Sequence, residues 1–201
     1  IFDKDTSVVA SGDGFEVLTI APRLAFTGLL SKDDTTISFI GEGVEPEAEA
    51  PLSWAITVME GSDLRAGGPD SVVLGEGLAA NLGAHAGDRI VLLGNTPGGG
   101  VNAVELTVAG TFQTTSKAYD DTALRAPIEV ARRLMRVDGA TSWVVLLGET
   151  GQTDTAVGAL RGLGPVHARR KAPEPEDLGI RSPGTGVQHQ PLGIGQQDAA
   201  A

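Results

Sequence analysis

The sequence predicts an α+β fold, and three segments lead to that prediction. Thr35–Ile40 (TTISFI) alternates polar and apolar side chains, as a half-buried strand does. Val72–Leu93 begins like a strand, continues as a short helix and, after a Gly-Asp turn, ends in a second strand. The third segment, IEVARRLMRV after Pro127, carries apolar side chains on one face of a helix.

The N-terminal third is expected to consist mainly of strands and loops. A strand over Val17–Ile20 is expected to end at a break caused by Pro22, before a second apolar stretch. The segment Gly41–Ser53 is acidic and contains two prolines, so its composition predicts a solvated loop. Ile56–Glu60 fits a short strand or a turn.

The middle of the chain is expected to contain a short helix followed by a β-hairpin. Gly83 is placed to end the helix. The strands Arg89–Leu93 and Val104–Phe112 follow, and the glycine-rich loop Gly94–Gly100 joins them. We therefore expect a hairpin with a long, flexible tip.

Two helices and one strand are expected in the next part of the chain. Pro127 fits the first turn of the helix IEVARRLMRV. The apolar run Ser142–Leu147 (SWVVLL) predicts a buried strand. Thr153 or Asp154 is expected to cap a last helix. The apolar face of the helix IEVARRLMRV is expected to consist of Ile128, Ala131, Leu134 and Met135.

Composition and charge exclude several classes of function. Cysteine is absent from the 201 residues, which excludes thiol catalysis, disulfides and cysteine-based metal sites. The net charge is −11, and the excess lies in residues 1–164 because residues 165–201 hold four basic and four acidic side chains. Such an acidic body repels nucleic-acid phosphates and anionic lipid, and suits either a basic partner or simple solubility. No apolar run reaches the roughly 20 residues that span a bilayer.

The sequence offers little that could serve as a catalytic or metal centre. The glycine-rich loops lack both the Gly-x-Gly-x-x-Gly order and a following Gly-Lys-Ser/Thr, and no Gly-x-Ser-x-Gly elbow is present. His85, the one histidine of residues 1–164, lies where a helix meets a turn, which is usually exposed. Asp120 and Asp121 either bind a divalent cation or, as we favour, cap a turn or pair with a nearby arginine. No catalytic residue, metal or cofactor is therefore predicted.

The arginines and tryptophans each have a structural and a functional interpretation. Arg132, Arg133 and Arg136 form either a phosphate site or a solvated, salt-bridged helix face, and the second is favoured. Trp54 and Trp143 are expected to anchor a core or an interface. Trp143 lies within an apolar strand and is expected in the core.

Several segments occur in the order found in one known family. EVLTIAPRLAFTGLLS (Glu16–Ser31) is similar to that family's Pro-Arg strand, and FIGEGVEPEAEAPLS (Phe39–Ser53) is similar to its acidic Gly-x-Gly segment. VVLGEGLAANLG, AGDRIVLL, VAGTF, YDDTALRAPIEVARRLM and WVVLL follow in family order. On these motifs, residues 14–164 resemble the MacB-like periplasmic core domain of ABC-transporter permeases, in particular the lipoprotein-release (LolC/LolE-like) branch.

The resemblance implies a mixed α/β Porter-like subdomain interrupted by a β-rich Sabre-like subdomain. Within a domain covering residues 1–164, we expect the Porter-like part at 1–38 and 113–164 and the Sabre-like part at 39–112. The Sabre-like core is expected to contain Leu78, Leu82, Ile90 and Leu92.

A transport role follows from the same resemblance. It implies an extracytoplasmic, periplasmic domain inserted between two transmembrane helices of an inner-membrane permease, coupling ATP-driven motion to handover or extrusion of lipoprotein or another amphiphile. The implied partners are a second permease subunit, a cytoplasmic ATPase reached through the membrane helices, and a periplasmic carrier or adaptor. Because the chain starts at Ile1 without those helices, we expect it to be a piece of a longer product.

The end of the chain departs from the family pattern. Relatives normally finish with a Thr-Trp-Glu-type segment that leads back to the membrane. Residues 165–201 lack it, are rich in proline and show no apolar periodicity. We expect this tail to be disordered or non-native.

Two loops are the candidate partner-binding elements, because loops carry binding sites disproportionately. The acidic loop Gly41–Ser53 is the second-ranked candidate for binding a partner, through Glu45 and Pro46. Two alternatives stay open: a stand-alone secreted binding module and, less favoured, a hydrolase that uses Asp120 and Asp121. The first choice is the hairpin tip, with Thr96, Pro97, Gly98 and Gly99.

Overall fold

Eight strands join into one sheet in the computed structural model, which describes residues 15–162. The strands are β1 (Val17–Lys32), β2 (Thr35–Val44), β3 (Thr57–Gly61), β4 (Ser71–Gly75), β5 (Arg89–Asn95), β6 (Val101–Gln113), β7 (Ala123–Pro127) and β8 (Ser142–Leu147). The α-helices are α1 (Pro46–Glu49), α2 (Leu64–Gly67), α3 (Glu76–Leu82), α4 (Lys117–Asp120), α5 (Ile128–Met135) and α6 (Thr153–Gly162). Short 3-10 helices cover Ala50–Ala55 and Thr150–Gln152.

Six of these strands form a closed ring. Successive hydrogen-bonded pairs run β1–β2–β7–β4–β6–β5 and return to β1, where Leu29–Ser31 pair with β5. The β2–β7 and β4–β6 pairs are parallel and the other neighbours are antiparallel. Outside the ring, β8 pairs with the N-terminal half of β1, and β3 pairs with the C-terminal end of β6. β1 and β6 are long because each of them borders three other strands.

The principal core fills the interior of this ring. Side chains of β1 alternate, so that Leu24, Phe26 and Leu30 are buried while the residues between them are more exposed. Helices α3 and α5 complete the same core with Leu78, Leu82 and Leu134 among others. Helix α5 approaches β2 so closely that a Cβ at Gly43 would lie 2.5 Å from the Ala131 Cβ.

A smaller second core lies on the outer face of the sheet. It consists of Val44, Val73, Phe112 and Ala123 from the strands and Leu64 from α2. The chain between β2 and β4 covers this face. This second core, unlike the first, borders an open cleft.

Most of the predicted elements are confirmed. The helix before Gly83 ends there in a left-handed conformation with φ 68°. The hairpin strands pair antiparallel, from Asn95 with Val101 to Arg89 with Thr107. The helix after Pro127, the strand near Thr57–Gly61 and the last helix are present. The burial predicted for Leu78, Leu82, Ile90 and Leu92 is also observed.

Three predictions about the strands and loops are wrong. β1 runs without a break through Pro22, which is tolerated because β2 begins to pair only at the next residue, so β8 alone flanks Pro22. Gly41–Ser53 is not a solvated loop, since β2 extends to Val44 and α1 follows. Ser142–Leu147 is a half-buried strand at the edge of the sheet and not a buried one.

Two further predictions concern the tail and the division into subdomains. The tail 165–201 lies outside the described residues. The division into Porter-like segments 1–38 and 113–164 and a Sabre-like segment 39–112 stays a prediction, although the strands of all three segments belong to one sheet.

Candidate functional site

A cleft lies between the outer face of the ring strands and residues 45–67, which include β3 and which we call the cover segment. The cavity measures about 350 Å³. On the sheet side it is lined by Val44, Val73, Thr111, Phe112 and Arg125. On the cover side it is lined by Pro46, Glu49, Ala50, Ser53, Trp54, Ile56, Val58, Asp63, Leu64 and Arg65. The cleft therefore has an apolar floor with charged groups at its edges.

Four charged side chains beside the cleft form an ion-paired cluster, the quartet Arg23, Glu42, Glu49 and Arg125. Arg23 donates to both carboxylate oxygens of Glu49, from Nε at 2.7 Å and from Nη2 at 3.0 Å. Arg125 Nη2 donates to Glu49 Oε2 at 2.6 Å, and its Nε donates to Glu42 Oε2 at 3.3 Å. Arg23 Nη1 closes the cycle on Glu42 Oε1 at 3.2 Å. Two positive and two negative groups make the quartet electrically neutral.

The quartet fastens the cover segment to the sheet. Glu49 is the last residue of α1 and is only 3% exposed, whereas its partners belong to β1 and β7. Burial disfavours the charge on Arg23, but the hydrogen bonds to Glu49 and the charges of Glu42 and Glu49 outweigh it and raise the pKa of Arg23. Removal of Glu49 would leave the buried cation of Arg125 without its shortest ion pair.

Exposed apolar side chains stand at the mouth of the cleft. Trp54 is 88% exposed although it lines the cavity, and Val58 and Met59 are also exposed. Trp54 therefore does not belong to a core, which was one of its two predicted roles. Trp143 is partly buried and packs against the principal core, as predicted.

Asp63 orders the opposite rim of the cleft by capping α2. Its Oδ1 accepts hydrogen bonds from the backbone N–H of Arg65 at 3.1 Å and of Ala66 at 3.3 Å. Its Oδ2 also accepts from the Arg65 side chain. Partial burial opposes the charge, yet these hydrogen bonds lower the pKa of Asp63.

The structure separates the two predicted partner-binding loops. Pro46 lines the cleft and Glu45 precedes it at the end of β2, where it is exposed. Thr96 shapes the hairpin tip, since its Oγ1 donates to the Gly100 carbonyl at 3.1 Å. The cleft lining contains none of the four tip residues, and the following three are exposed: Pro97, Gly98 and Gly99.

The base of the hairpin is attached to helix α5 instead. Asn102 Nδ2 donates to the carbonyls of Arg133 at 2.9 Å and Leu134 at 3.0 Å, near the C-terminal end of the helix. Gly94 also packs on Leu134, because a Cβ there would lie 3.1 Å from its Cγ. The tip thus projects from a fixed base.

The candidate hydrolytic carboxylates have structural partners. Both oxygens of buried Asp120 accept from the Thr114 N–H at 3.1 Å, and Oδ1 also accepts from the Thr114 hydroxyl at 2.8 Å. Asp121 pairs with Lys117 at 2.8 Å. The interpretation as turn-forming, paired residues is confirmed, although the pairing partner of Asp121 is a lysine. Both carboxylates also line a second cavity, together with Glu76 and Gln113.

The basic residues of α5 are largely paired. Arg133 contacts Asp70 at 2.6 Å, and Arg132 contacts Glu129 at 2.7 Å. A salt-bridged face is thus confirmed for these two residues. Arg132 is nevertheless buried and not solvated, since its Nε also donates to the Gly139 carbonyl. His85 is exposed, as predicted.

Family membership is decided by a match over most of the chain. The profile of the MacB-like periplasmic core domain family matches residues 3–163. The chain belongs to this family. The MacB-like domain is thus the extracytoplasmic domain of an ABC-type transporter permease, and its family is not a known enzyme class. Among the described residues, no helix is long and apolar enough to cross a membrane.

Two crystal structures have the fold of this MacB-like domain. The extracellular domain of the noncanonical ABC-type transporter YknZ from Gram-positive bacteria is 12% identical, with a TM-score of 0.61. That match covers 81% of this chain and 82% of the other. The periplasmic region of MacB from Actinobacillus actinomycetemcomitans is 13% identical, with a TM-score of 0.58, and the match covers 81% and 75% of the two chains.

Sequence reasoning about the MacB-like domain missed the quartet. A usable signal was present, since Arg23 follows Pro22 in an apolar strand and Arg125 stands between Leu124 and Ala126. An arginine flanked by apolar residues on a buried strand needs a carboxylate partner. Which glutamate supplies it depends on how the cover segment folds over the sheet.

Proposed function

We propose that this domain transmits ATP-driven motion of a permease to the handover of an amphiphilic substrate, with lipoprotein as the leading class. The proposed partners are a second permease subunit, a cytoplasmic ATPase and an extracytoplasmic carrier or adaptor. Membership of a permease family supports the ATPase and permease partners in general terms. The lipoprotein-release branch is part of the proposal and rests on the motifs of Glu16–Ser31 and Phe39–Ser53.

One observation carries the coupling role: the first and last strands of the described fold are paired with each other. Val17 pairs with Leu147 at the start of the β1–β8 ladder. The Gly148 N–H donates to the Glu16 carbonyl at 3.0 Å, and the Glu16 N–H donates to the Gln152 side chain at 3.0 Å. A domain inserted between two membrane helices needs neighbouring ends, because both ends must return to the same membrane surface.

From these paired ends, β1 leads through the whole domain. Its 16 residues span roughly 50 Å at about 3.3 Å per residue. The same strand pairs with β8 at its start and with β2 and β5 at its far end. A displacement applied at the ends would therefore move the ring as one body.

An inserted flexible linker tests the coupling. About six Gly and Ser residues between Gly148 and Glu149 of the intact permease would slacken one end while the β1–β8 ladder stays intact. We expect less substrate released per ATP hydrolysed in membrane vesicles, with ATP hydrolysis itself retained. The matched control places the same linker between Asp33 and Asp34, in the exposed β1–β2 turn. Equal release from the two variants would contradict coupling through the ends.

The hairpin tip is proposed as the surface that meets the carrier. It is exposed and stands on a base fixed to α5, so it can present a constant shape to a partner. A second contact is proposed at Glu45 and Pro46, beside the cleft. Both surfaces belong to the same described body of the chain.

Shortening the tip tests the first of these surfaces. Replacing Thr96–Gly100 by Asn-Gly keeps a two-residue turn between the paired Asn95 and Val101. We expect loss of crosslinking to the carrier, with the melting temperature little changed. The control variant replaces Asp33 and Asp34 by Asn and Gly in the other exposed turn. Undiminished carrier crosslinking in the shortened variant would remove the tip from the proposal.

A further inference from the structure

The cover segment is acidic and also exposes apolar side chains. It contains five acidic residues and one basic residue, which gives a net charge of 1 − 5 = −4. Two of the acidic charges are neutralised nearby, since Glu49 belongs to the quartet and Asp63 pairs with Arg65. Glu60 lies 3.4 Å from the His85 ring. The unbalanced charge therefore lies on Glu60 and on the remaining two carboxylates.

Those two are Glu45 and Glu47, which flank Pro46 at the start of α1. Both are exposed, and no ion pair joins either of them to another described residue. Pro46 lines the cavity, and its neighbours Glu45 and Glu47 lie beside it in the chain without belonging to the lining. An exposed carboxylate pair attracts a cation.

The apolar half of the same surface is formed by Trp54 and Val58. The indole of Trp54 is almost fully exposed and lines the same cavity as Val58. An exposed indole face binds a Lys or Arg side chain by a cation–π interaction. The cavity behind it, about 350 Å³ with Ile56, Leu64 and Phe112 in its lining, has room for aliphatic side chains.

We propose that the mouth of this cleft binds a basic peptide segment of a protein partner that also carries aliphatic side chains. Lys or Arg side chains pair with Glu45 and Glu47 and lie on Trp54, while an aliphatic side chain enters the cavity. Charge complementarity selects this occupant, because an uncharged acyl chain would use the cavity and leave both carboxylates unpaired. The binding requires the domain alone, so it stands or falls independently of the proposed coupling to ATP.

Tryptophan fluorescence offers a direct test in the 201-residue chain. The chain has two tryptophans, so Trp143→Phe leaves Trp54 as the only reporter. The probe is the synthetic peptide KLAKLAKLA, compared with ELAELAELA and QLAQLAQLA. We expect the lysine peptide alone to shift the Trp54 emission to shorter wavelength. Calorimetric titration of the unsubstituted chain with the same three peptides checks the result should Trp143→Phe disturb the fold.

A matched pair of double variants tests whether peptide binding depends on the charges at the cleft or on the overall charge of the chain. Glu45→Gln with Glu47→Gln removes two acidic charges at the cleft and is expected to weaken binding about tenfold, the effect of two exposed ion pairs. Asp33→Asn with Asp34→Asn removes the same charge from the distant β1–β2 turn and should leave the affinity within about twofold.

Three outcomes would overturn the proposal. Equal weakening by both double variants would mean that the peptide responds to overall charge. Equal binding of the glutamine peptide would mean a purely apolar ligand, such as an acyl chain. No binding of the lysine peptide at all would remove the site.

Discussion

The two hydrophobic cores of this domain differ in what surrounds them. The principal core lies inside a closed ring of strands, where Leu24, Leu30 and Leu74 are at most 2% exposed. The second core is open on one side, and its cover segment is held by the charged quartet in addition to apolar contacts. An apolar core inside a closed ring gains stability from burial alone. A core beside a cleft borders a space that solvent can enter.

This difference assigns separate roles to the two regions. The ring provides a body that keeps its shape, and the cover segment provides a surface whose apolar groups are left incompletely buried. Apolar groups that stay exposed gain no free energy from burial, so the cover segment adds less to the stability of the domain than the ring does. The following substitutions compare the two regions, in order of decreasing expected effect.

Truncation of one leucine in each core should give the largest difference in the free energy of unfolding between the two regions. Leu30→Ala creates a cavity inside the ring, and we expect it to lower the free energy of unfolding by about 4 kcal/mol. Leu64→Ala removes the same atoms from the second core, where water can enter from the cleft, and should cost about 2 kcal/mol. Urea unfolding of both variants measures the difference. Equal losses would mean that both cores are equally closed.

Neutralising the centre of the quartet should have the next largest effect. Glu49→Gln keeps the shape of the side chain but leaves Arg125 with only Glu42 as a charged partner. We expect a loss of about 3 kcal/mol, the cost of breaking a buried ion pair. Hydrogen exchange should rise first in the backbone amides of the cover segment.

The control for this variant is an exposed ion pair. Glu105→Gln removes the carboxylate that contacts Arg89 on the ring surface, and both of those side chains are mostly exposed. Such a pair is worth less than about 1 kcal/mol. If Glu49→Gln cost no more than Glu105→Gln, the quartet would not hold the cover segment.

The same two regions differ in how far they could be predicted from the sequence. In the ring, local patterns were sufficient for single elements: Gly83 ends α3, and the glycine-rich loop joins β5 to β6. Ring closure was not predictable, because Leu29–Ser31 pair not only with nearby β2 but also with β5, which is far away in the sequence. Such non-local pairing leaves no local periodicity.

The cover segment was predicted less well for a physical reason. Its acidic composition indicated solvent exposure, yet Glu49 is buried because two arginines from distant strands neutralise it. The exposure expected of the acidic segment does hold at Glu45. The cleft itself, and the exposure of Trp54 at its mouth, follow from tertiary packing and not from composition.

Acid titration should reveal the rim of the cleft by a smaller effect. Asp63 has a lowered pKa in the folded chain, so folding favours its charged form. The stability that the Asp63 carboxylate adds is therefore fully present above its unfolded-state pKa of about 3.9. This stability is lost as pH falls through the lower pKa of the folded state. We expect Asp63→Ala to cost about 1 kcal/mol at pH 7, and the difference from the unsubstituted chain to shrink below about pH 4.

A conservative variant separates capping from charge at this position. Asparagine is a good helix cap without a titrating carboxyl, so Asp63→Asn should lose less stability than Asp63→Ala at pH 7. The stability of the asparagine variant should also decline less steeply between about pH 4 and pH 2 than that of the unsubstituted chain. Denaturant unfolding at several pH values measures both. A loss for Asp63→Ala that stays constant down to about pH 2 would contradict the charge effect.

The smallest effect is expected at Trp54, although tryptophan is the largest side chain. Because it is 88% exposed, Trp54→Ala should change the free energy of unfolding by less than about 0.5 kcal/mol. Trp143→Ala is the matched control: this tryptophan packs against the principal core, so its truncation should cost at least about 2 kcal/mol. A loss above about 1 kcal/mol for Trp54→Ala would mean that the indole packs into its own cleft. In that case it would not be available at the cleft mouth for a partner.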